Sequence, residues 1–161
     1  MERVPVGLKL PWDVRQQCLW IVRGYDRARR EYIKARRELL DASSAHFQEY
    51  TENGEERRAY LPGSHRASRT TESMAERLLS LDNLQAFRQM RAVEHARARI
   101  GAGMPPELQD ALRDAIMLNC ADGRKYPFER LFVVGISRAD FYRARNAFFW
   151  EIARELGLIK E

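Results

Sequence analysis

Ser137, Arg138, Asp140, Arg143 and Asn146 lie close together in the run GISRADFYRARNAFF, residues 135–149. These side chains lack the nucleophile-and-base pairing that breaks bonds, but they suit recognition. Arginine can donate two hydrogen bonds to guanine, and asparagine can bond adenine at two points. Further cations and hydroxyls hold phosphate oxygens and set the register. On a helix advancing about 100° per residue, Ala139, Arg143 and Asn146 point one way and Phe141, Ala144, Phe148 and Ile152 the other. Arg138, Ala139, Tyr142, Arg143 and Asn146 are therefore the candidate contacts to base edges in duplex DNA. Ser137, Lys125 and Arg145 are the phosphate candidates. Arg145 falls near the Phe148 side, so it suits a phosphate or an acidic partner better than a base.

Catalytic chemistry is poorly supplied. His46, His65 and His95 are scattered, and no HExxH, P-loop, GxGxxG or GxSxG is present. Plentiful carboxylates leave a metal-dependent nuclease as the enzyme reading, but no acidic pair stands in an apolar setting. His95 reads as a surface residue of a helix. The expectation is a non-enzymatic chain with no metal and no cofactor.

The recognition pattern needs two elements to hold it. FERLFVVGISRADFYRARNAFF reads as helix, tight turn, helix. Pro127 opens a short helix reaching Val134, and Gly135 turns the chain. Ile136 plugs the gap, and Ser137 caps a last helix that runs to Leu156. Asp140 stands at the capping-box spacing in place of the usual glutamate. Phe141, Ala144, Phe148 and Ile152 should pack on Leu131, Phe132 and Ile136. Gly157 suits the C-cap. A helix-turn-helix of this kind enters the major groove with the N-terminal end of its second helix leading, and that end also favours a phosphate.

The rest of the chain is helical by pattern. Val14, Cys18, Ile21, Tyr25, Ala28, Tyr32, Ala35 and Leu39 alternate steps of four and three, a heptad seam on one helix over about 12–41. Residues 43–69 show no period and carry Asn-Gly and Pro-Gly, so a long mobile loop is expected, without strands. A second long helix follows over about 71–100, capped by Thr71, and a third over about 106–120. The fold class is all-α: a long, coiled-coil-like N-terminal helical hairpin over 1–100, then a helix-turn-helix bundle over 101–161. Arg23, Arg27, Arg30, Lys34 and Arg37 make a basic stripe beside the seam. It reads first as a solvated flank pairing with Glu72, Glu76 and Asp82, and alternatively as a second phosphate-binding surface.

Composition narrows the setting. The 161 residues are 45% hydrophobic and 32% charged, with net charge +5. Residues 1–40 hold 10 basic and 5 acidic side chains, residues 41–120 hold 10 and 12, and residues 121–161 hold 8 and 6. The two ends are thus the basic parts, which raises the expectation of a polyanionic partner. No apolar run is long enough to span a membrane, and the first twelve residues lack the apolar core of a signal peptide. Cys18 and Cys120 read as reduced, buried thiols of a cytoplasmic protein. Trp12, Trp20 and Trp150 read as core or interface residues, with Trp150 docking the C-terminal unit on another helix or subunit.

The stretch GISRADFYRARNAFFWEIARELGLI resembles the C-terminal helix-turn-helix of sigma-70-like region 4 domains. More closely, it is similar to phage late-gene transcription regulators of the ArpU and RinA type, over roughly the last 60 residues. That resemblance implies a small phage or prophage protein in the bacterial cytoplasm that binds a promoter and activates transcription, with RNA polymerase as a possible partner. A single recognition helix reads few base pairs, so a homodimer built from the N-terminal helices is the companion expectation. The alternative is a helical interaction or assembly protein that does not touch DNA.

Overall fold

The heptad seam folds as one continuous helix, α1, Trp12–Ser44. All eight seam residues are buried or half-buried, and Val22 joins them. The computed structural model describes residues 10–44, 47–52, 55–60 and 67–159, and the side chains of 42–72 lie outside that description. After α1 the chain pairs with itself. Strands β1, Phe47–Glu52, and β2, Glu55–Tyr60, are antiparallel, in a register that sets Phe47 opposite Tyr60 and Glu52 opposite Glu55. The expected unstructured loop over 43–69 is thus corrected at residues 47–52 and 55–60; its Asn53 and Gly54 lie outside the described residues.

Helices α2, Ala67–Asn83, and α3, Gln85–Arg99, replace the single second helix. Thr71 lies inside α2 and so does not cap it. At Leu84 the ladder tightens: the Leu84 amide bonds the Leu81 carbonyl at 3.2 Å and the Phe87 amide bonds the Leu84 carbonyl at 3.0 Å. Both span three residues rather than four, which ends one helix and starts the next. Helices α4, Pro106–Ala121, α5, Phe128–Leu131, and α6, Arg138–Glu155, complete the chain. The protein is helical in class, with six helices and one two-stranded hairpin among the described residues.

The chain divides into two compact units, Met1–Asp26 with Arg88–Glu161, and Arg27–Phe87. This differs from the expected division at residue 100, because the start of α1 and most of α3 share a core with α4 and α6. Val14, Cys18, Val22, Val93, Ala96, Leu112, Ile116, Phe141, Phe148 and Ile152 are buried together in that unit. Polar contacts lock the same elements: the Cys18 thiol reaches the Phe149 carbonyl at 3.5 Å and the Tyr25 hydroxyl bonds Glu94 at 3.1 Å. In the other unit the Tyr32 ring meets Phe87 edge-on at 5.1 Å and its hydroxyl bonds Asp82 at 2.9 Å. Trp12 and Trp20 are exposed, so neither is a core residue. Trp150 is half-buried beneath the Arg154 guanidinium, 5.2 Å from its ring centre.

Both cysteines are free and buried, as expected. Burial pushes the Cys18 thiol from 9.0 up to about 11, and the Cys120 thiol up to about 12 despite nearby Arg145 and Arg23. Below pH about 9 both states carry neutral thiols, so this contribution to stability is intact. Above it the unfolded chain ionises first, and stability falls as pH rises toward the folded values. Urea midpoints should therefore drop between pH 9 and 10 by the equivalent of about 1 kcal/mol per thiol. A Cys18→Ala, Cys120→Ala variant should lose that slope.

Candidate nucleic-acid interface

Helix α6 is held at both ends by its own sequence. At the start, the Ser137 hydroxyl accepts from the Asp140 amide at 3.1 Å, the N-cap bond that was expected. The reciprocal half of the capping box differs. Asp140 is one methylene shorter than glutamate, and its Oδ2 accepts from the Ser137 hydroxyl at 2.6 Å. Its other oxygen accepts from Arg143 at 2.6 Å. At the far end Gly157 has φ 68. The Gly157 amide bonds the Arg154 carbonyl at 3.0 Å, and the Leu158 amide bonds the Ala153 carbonyl at 2.8 Å. That pair of bonds is a complete Schellman stop.

The element before the turn is shorter than the sequence pattern suggests. Helix α5 makes a single turn and ends at Leu131, not Val134, because Phe132 adopts a left-handed conformation with φ 49. Phe132 therefore does not pack under α6; its side chain is exposed. Phe128 takes that place, with its ring 5.2 Å from Phe141. Gly135 turns the chain as expected, at φ 83. No atom lies within 4 Å of a Cβ placed there, so backbone conformation rather than space is what glycine supplies.

The helix faces separate as the 100° spacing requires. Phe141, Phe148, Phe149, Ile152 and Ala153 are buried, while Ser137, Arg138, Ala139, Arg143 and Asn146 are exposed. The two outward arginines each hold an acid: Arg143 pairs with Asp140 at 2.6 Å and Arg138 with Glu129 at 3.2 Å. Both pairs are open to solvent, so each is worth about 0.2–1 kcal/mol and can be exchanged for another anion. Tyr142 is half-buried between two guanidiniums, Arg138 at 5.9 Å and Arg145 at 4.9 Å from its ring centre. Lys125 is exposed, on a turn fixed by Asp122, whose Oδ1 accepts the amides of Lys125 and Arg124 at 3.1 Å each. Those bonds, the Lys125 amide foremost, hold the Asp122 carboxyl below its usual range.

Arg145 is corrected. It turns inward rather than toward a phosphate, donating to Asn119 Oδ1 at 2.6 Å and lying over the rings of Tyr142 and Phe149. Burial, with Arg15 acting in the same sense, pulls its guanidinium below the ordinary arginine pKa, and its Nε has no hydrogen-bond partner. Asn119, which sequence reasoning did not single out, is buried and also donates to the Tyr126 carbonyl at 2.8 Å. The signal was there: an amide among Leu112, Ala115, Ile116 and Cys120 at helical spacing, on a face otherwise apolar.

The basic stripe on α1 divides. Arg23 donates to the Cys120 carbonyl in the last turn of α4 at 3.1 Å and lies 5.5 Å from the Trp20 ring centre. It thus serves the C-terminal end of α4, where unbonded carbonyls favour a cation. Arg27, Arg30, Lys34 and Arg37 are exposed, and Lys34 pairs with Glu38 at 3.8 Å. Of the expected acidic partners, Glu72 lies outside the described side chains, Glu76 is exposed, and Asp82 accepts from Tyr32. His95 is on the surface, 2.8 Å from Glu155.

Comparison with protein-family models, with curated proteins and with solved structures finds no match to this chain. No helix among the described residues is long and apolar enough to cross a membrane.

Asn119→Ala should leave both the Arg145 guanidinium and the Tyr126 carbonyl unpaired, costing roughly 1–3 kcal/mol for each. Urea denaturation measures the loss. Adding Arg145→Met should cost less than the two separate changes together, because the pair acts as one unit.

Proposed function

We propose that this chain is a sequence-specific duplex-DNA-binding transcription regulator without enzymatic activity, with α6 as its recognition helix. The observation that supports this best is the exposed set Ala139, Arg143 and Asn146, with Arg138 at the first turn, directly opposite the fully buried Phe141, Phe148 and Ile152. That face presents one arginine and one asparagine at adjacent positions, the two side chains suited to guanine and adenine. Ser137 and Lys125, both exposed, take phosphates. Arg27, Arg30, Lys34 and Arg37 remain a second basic surface on α1. The resemblance of residues 135–159 to phage late-gene regulators adds the setting: a phage or prophage protein in a bacterial cytoplasm, acting at a promoter beside RNA polymerase.

A second reading, a helical interaction or assembly protein, draws on the other unit. Ile33, Leu40, Leu79 and Leu84 are exposed there, beside a groove of about 480 Å³ lined by Ala35, Leu39, Leu81 and Leu84. Exposed apolar surface of this kind suits a partner helix or a second copy. It also serves the first reading, since two copies would read two half-sites.

Salt separates the readings. Affinity for duplex should fall linearly in the logarithm of salt concentration, with a slope set by the number of phosphates contacted. Arg143→Ala should weaken duplex binding by about 1–3 kcal/mol and leave the melting temperature nearly unchanged. A folded variant with unchanged affinity removes Arg143 from the interface. Sedimentation at micromolar concentration should show a dimer. A species of 18.9 kDa that stays monomeric on a specific duplex would rule the dimer out.

A further inference from the structure

The turn ahead of α6 exposes two large apolar side chains on a backbone that disfavours one of them. Phe132 is the single non-glycine residue with positive φ among the described residues. Bulky side chains crowd the backbone in that region, which is why glycine or asparagine usually ends a helix this way. The Phe132 side chain repays nothing inside the fold, for the residue is 84% exposed, and Val134 is 86% exposed. Val133, between them, is buried and pins the strand of chain that pushes both neighbours outward.

The surroundings select the kind of surface that would cover this tip. Glu129, three residues before Phe132, holds Arg138 at 3.2 Å, so the outer side of α5 meets the first turn of α6. Over residues 122–143 the exposed cations are Arg124, Lys125, Arg130, Arg138 and Arg143, against the exposed acids Asp122, Glu129 and Asp140. An apolar point in a segment with an excess of cations suits a polyanion that also offers apolar groups. Duplex DNA does so in the major groove, through the C5-methyl of thymine, on which phenylalanine packs.

We propose that Phe132 and Val134 form an apolar tip that packs on thymine methyl groups beside the bases contacted by α6. The proposal rests on the reading of α6 as a recognition helix. A helix that enters the groove with its N-terminus leading carries the preceding turn with it. Ser137 lies five positions after Phe132, a reach of at most about 18 Å, or about half a turn of duplex. The thymine contact therefore adjoins the α6 footprint and extends the recognised sequence beyond what one helix reads.

The test uses a duplex recovered from a random-sequence pool by binding to the full chain. Each thymine is replaced in turn by uracil, which deletes only the methyl group. At one or two positions next to the α6 footprint, uracil should weaken wild-type binding about fourfold, the worth of one buried methyl. The Phe132→Ala, Val134→Ser variant should be insensitive to uracil at those positions and keep the wild-type salt slope. Phe132→Gly, which relieves the left-handed backbone, should melt at or above the wild-type temperature and show the same insensitivity, so misfolding cannot account for the result. Wild-type binding indifferent to uracil everywhere, or an equal uracil penalty in the variants, overturns the tip contact while leaving α6 as a DNA reader. Retention of that penalty with loss of binding to bacterial RNA polymerase overturns it in favour of a protein contact. Absence of any salt-dependent duplex binding overturns the recognition helix itself, and the tip with it.

Discussion

A buried amide fixes the geometry on which the outward face of α6 depends. Asn119 is the single buried polar side chain among the described residues, and it has two demanding neighbours. It accepts from the Arg145 guanidinium on α6 and donates to the Tyr126 carbonyl in the turn after α4. A partly buried guanidinium is costly where its donors go unmet. Arg145 offsets part of that cost through its bond to Asn119 and with its plane against Tyr142 and Phe149, although its Nε stays without a partner. The rotation of α6 about its own axis is therefore set by a polar bond as well as by the apolar side, which alone would tolerate small slippage. Arg143 and Asn146 face outward because Arg145 faces inward.

The parts legible in sequence were those governed by local rules. The heptad spacing of α1, the Ser137 cap, the Gly135 turn and the Gly157 stop each follow from a few adjacent residues, and each has its expected form in the structure. What escaped local reading was decided by partners far along the chain. Arg145 and Arg23 look like solvated cations at their own positions. Only the approach of α4, 26 and 97 residues away in their respective bonds, shows that they satisfy Asn119 and the Cys120 carbonyl. Phe132 looked like a core residue because aromatic side chains usually are. The left-handed backbone that ends α5 turned it out and left Phe128 to fill the space. The strands β1 and β2, FQEYTE and EERRAY, carry no alternation of apolar and polar residues from which a strand could be read.

The candidate face and its support thus differ in chemistry. Support comes from aromatic packing and from cations committed to carbonyls and an amide, none of which depends on solution conditions near neutrality. The face itself is built from exposed side chains whose present partners are weak. Such a division leaves the exposed Ala139, Arg143 and Asn146 open to substitution without altering the fold, whereas changes at Asn119 or Arg145 act on the support.

Asp140 illustrates a further consequence. One carboxylate serves as both the acceptor for the Ser137 hydroxyl and the counter-ion of Arg143, and Glu129 plays the second part for Arg138. The arginines of the proposed interface are therefore not waiting as bare charges; each is already occupied by a resident anion. Under the proposed function, engagement of a phosphate or a guanine edge would be an exchange of partners, driven by the difference between two similar interactions. A polyanion that offers charge alone would gain little from such an exchange, since it replaces one exposed ion pair by another. A ligand that places a second bond where the carboxylate cannot would gain more.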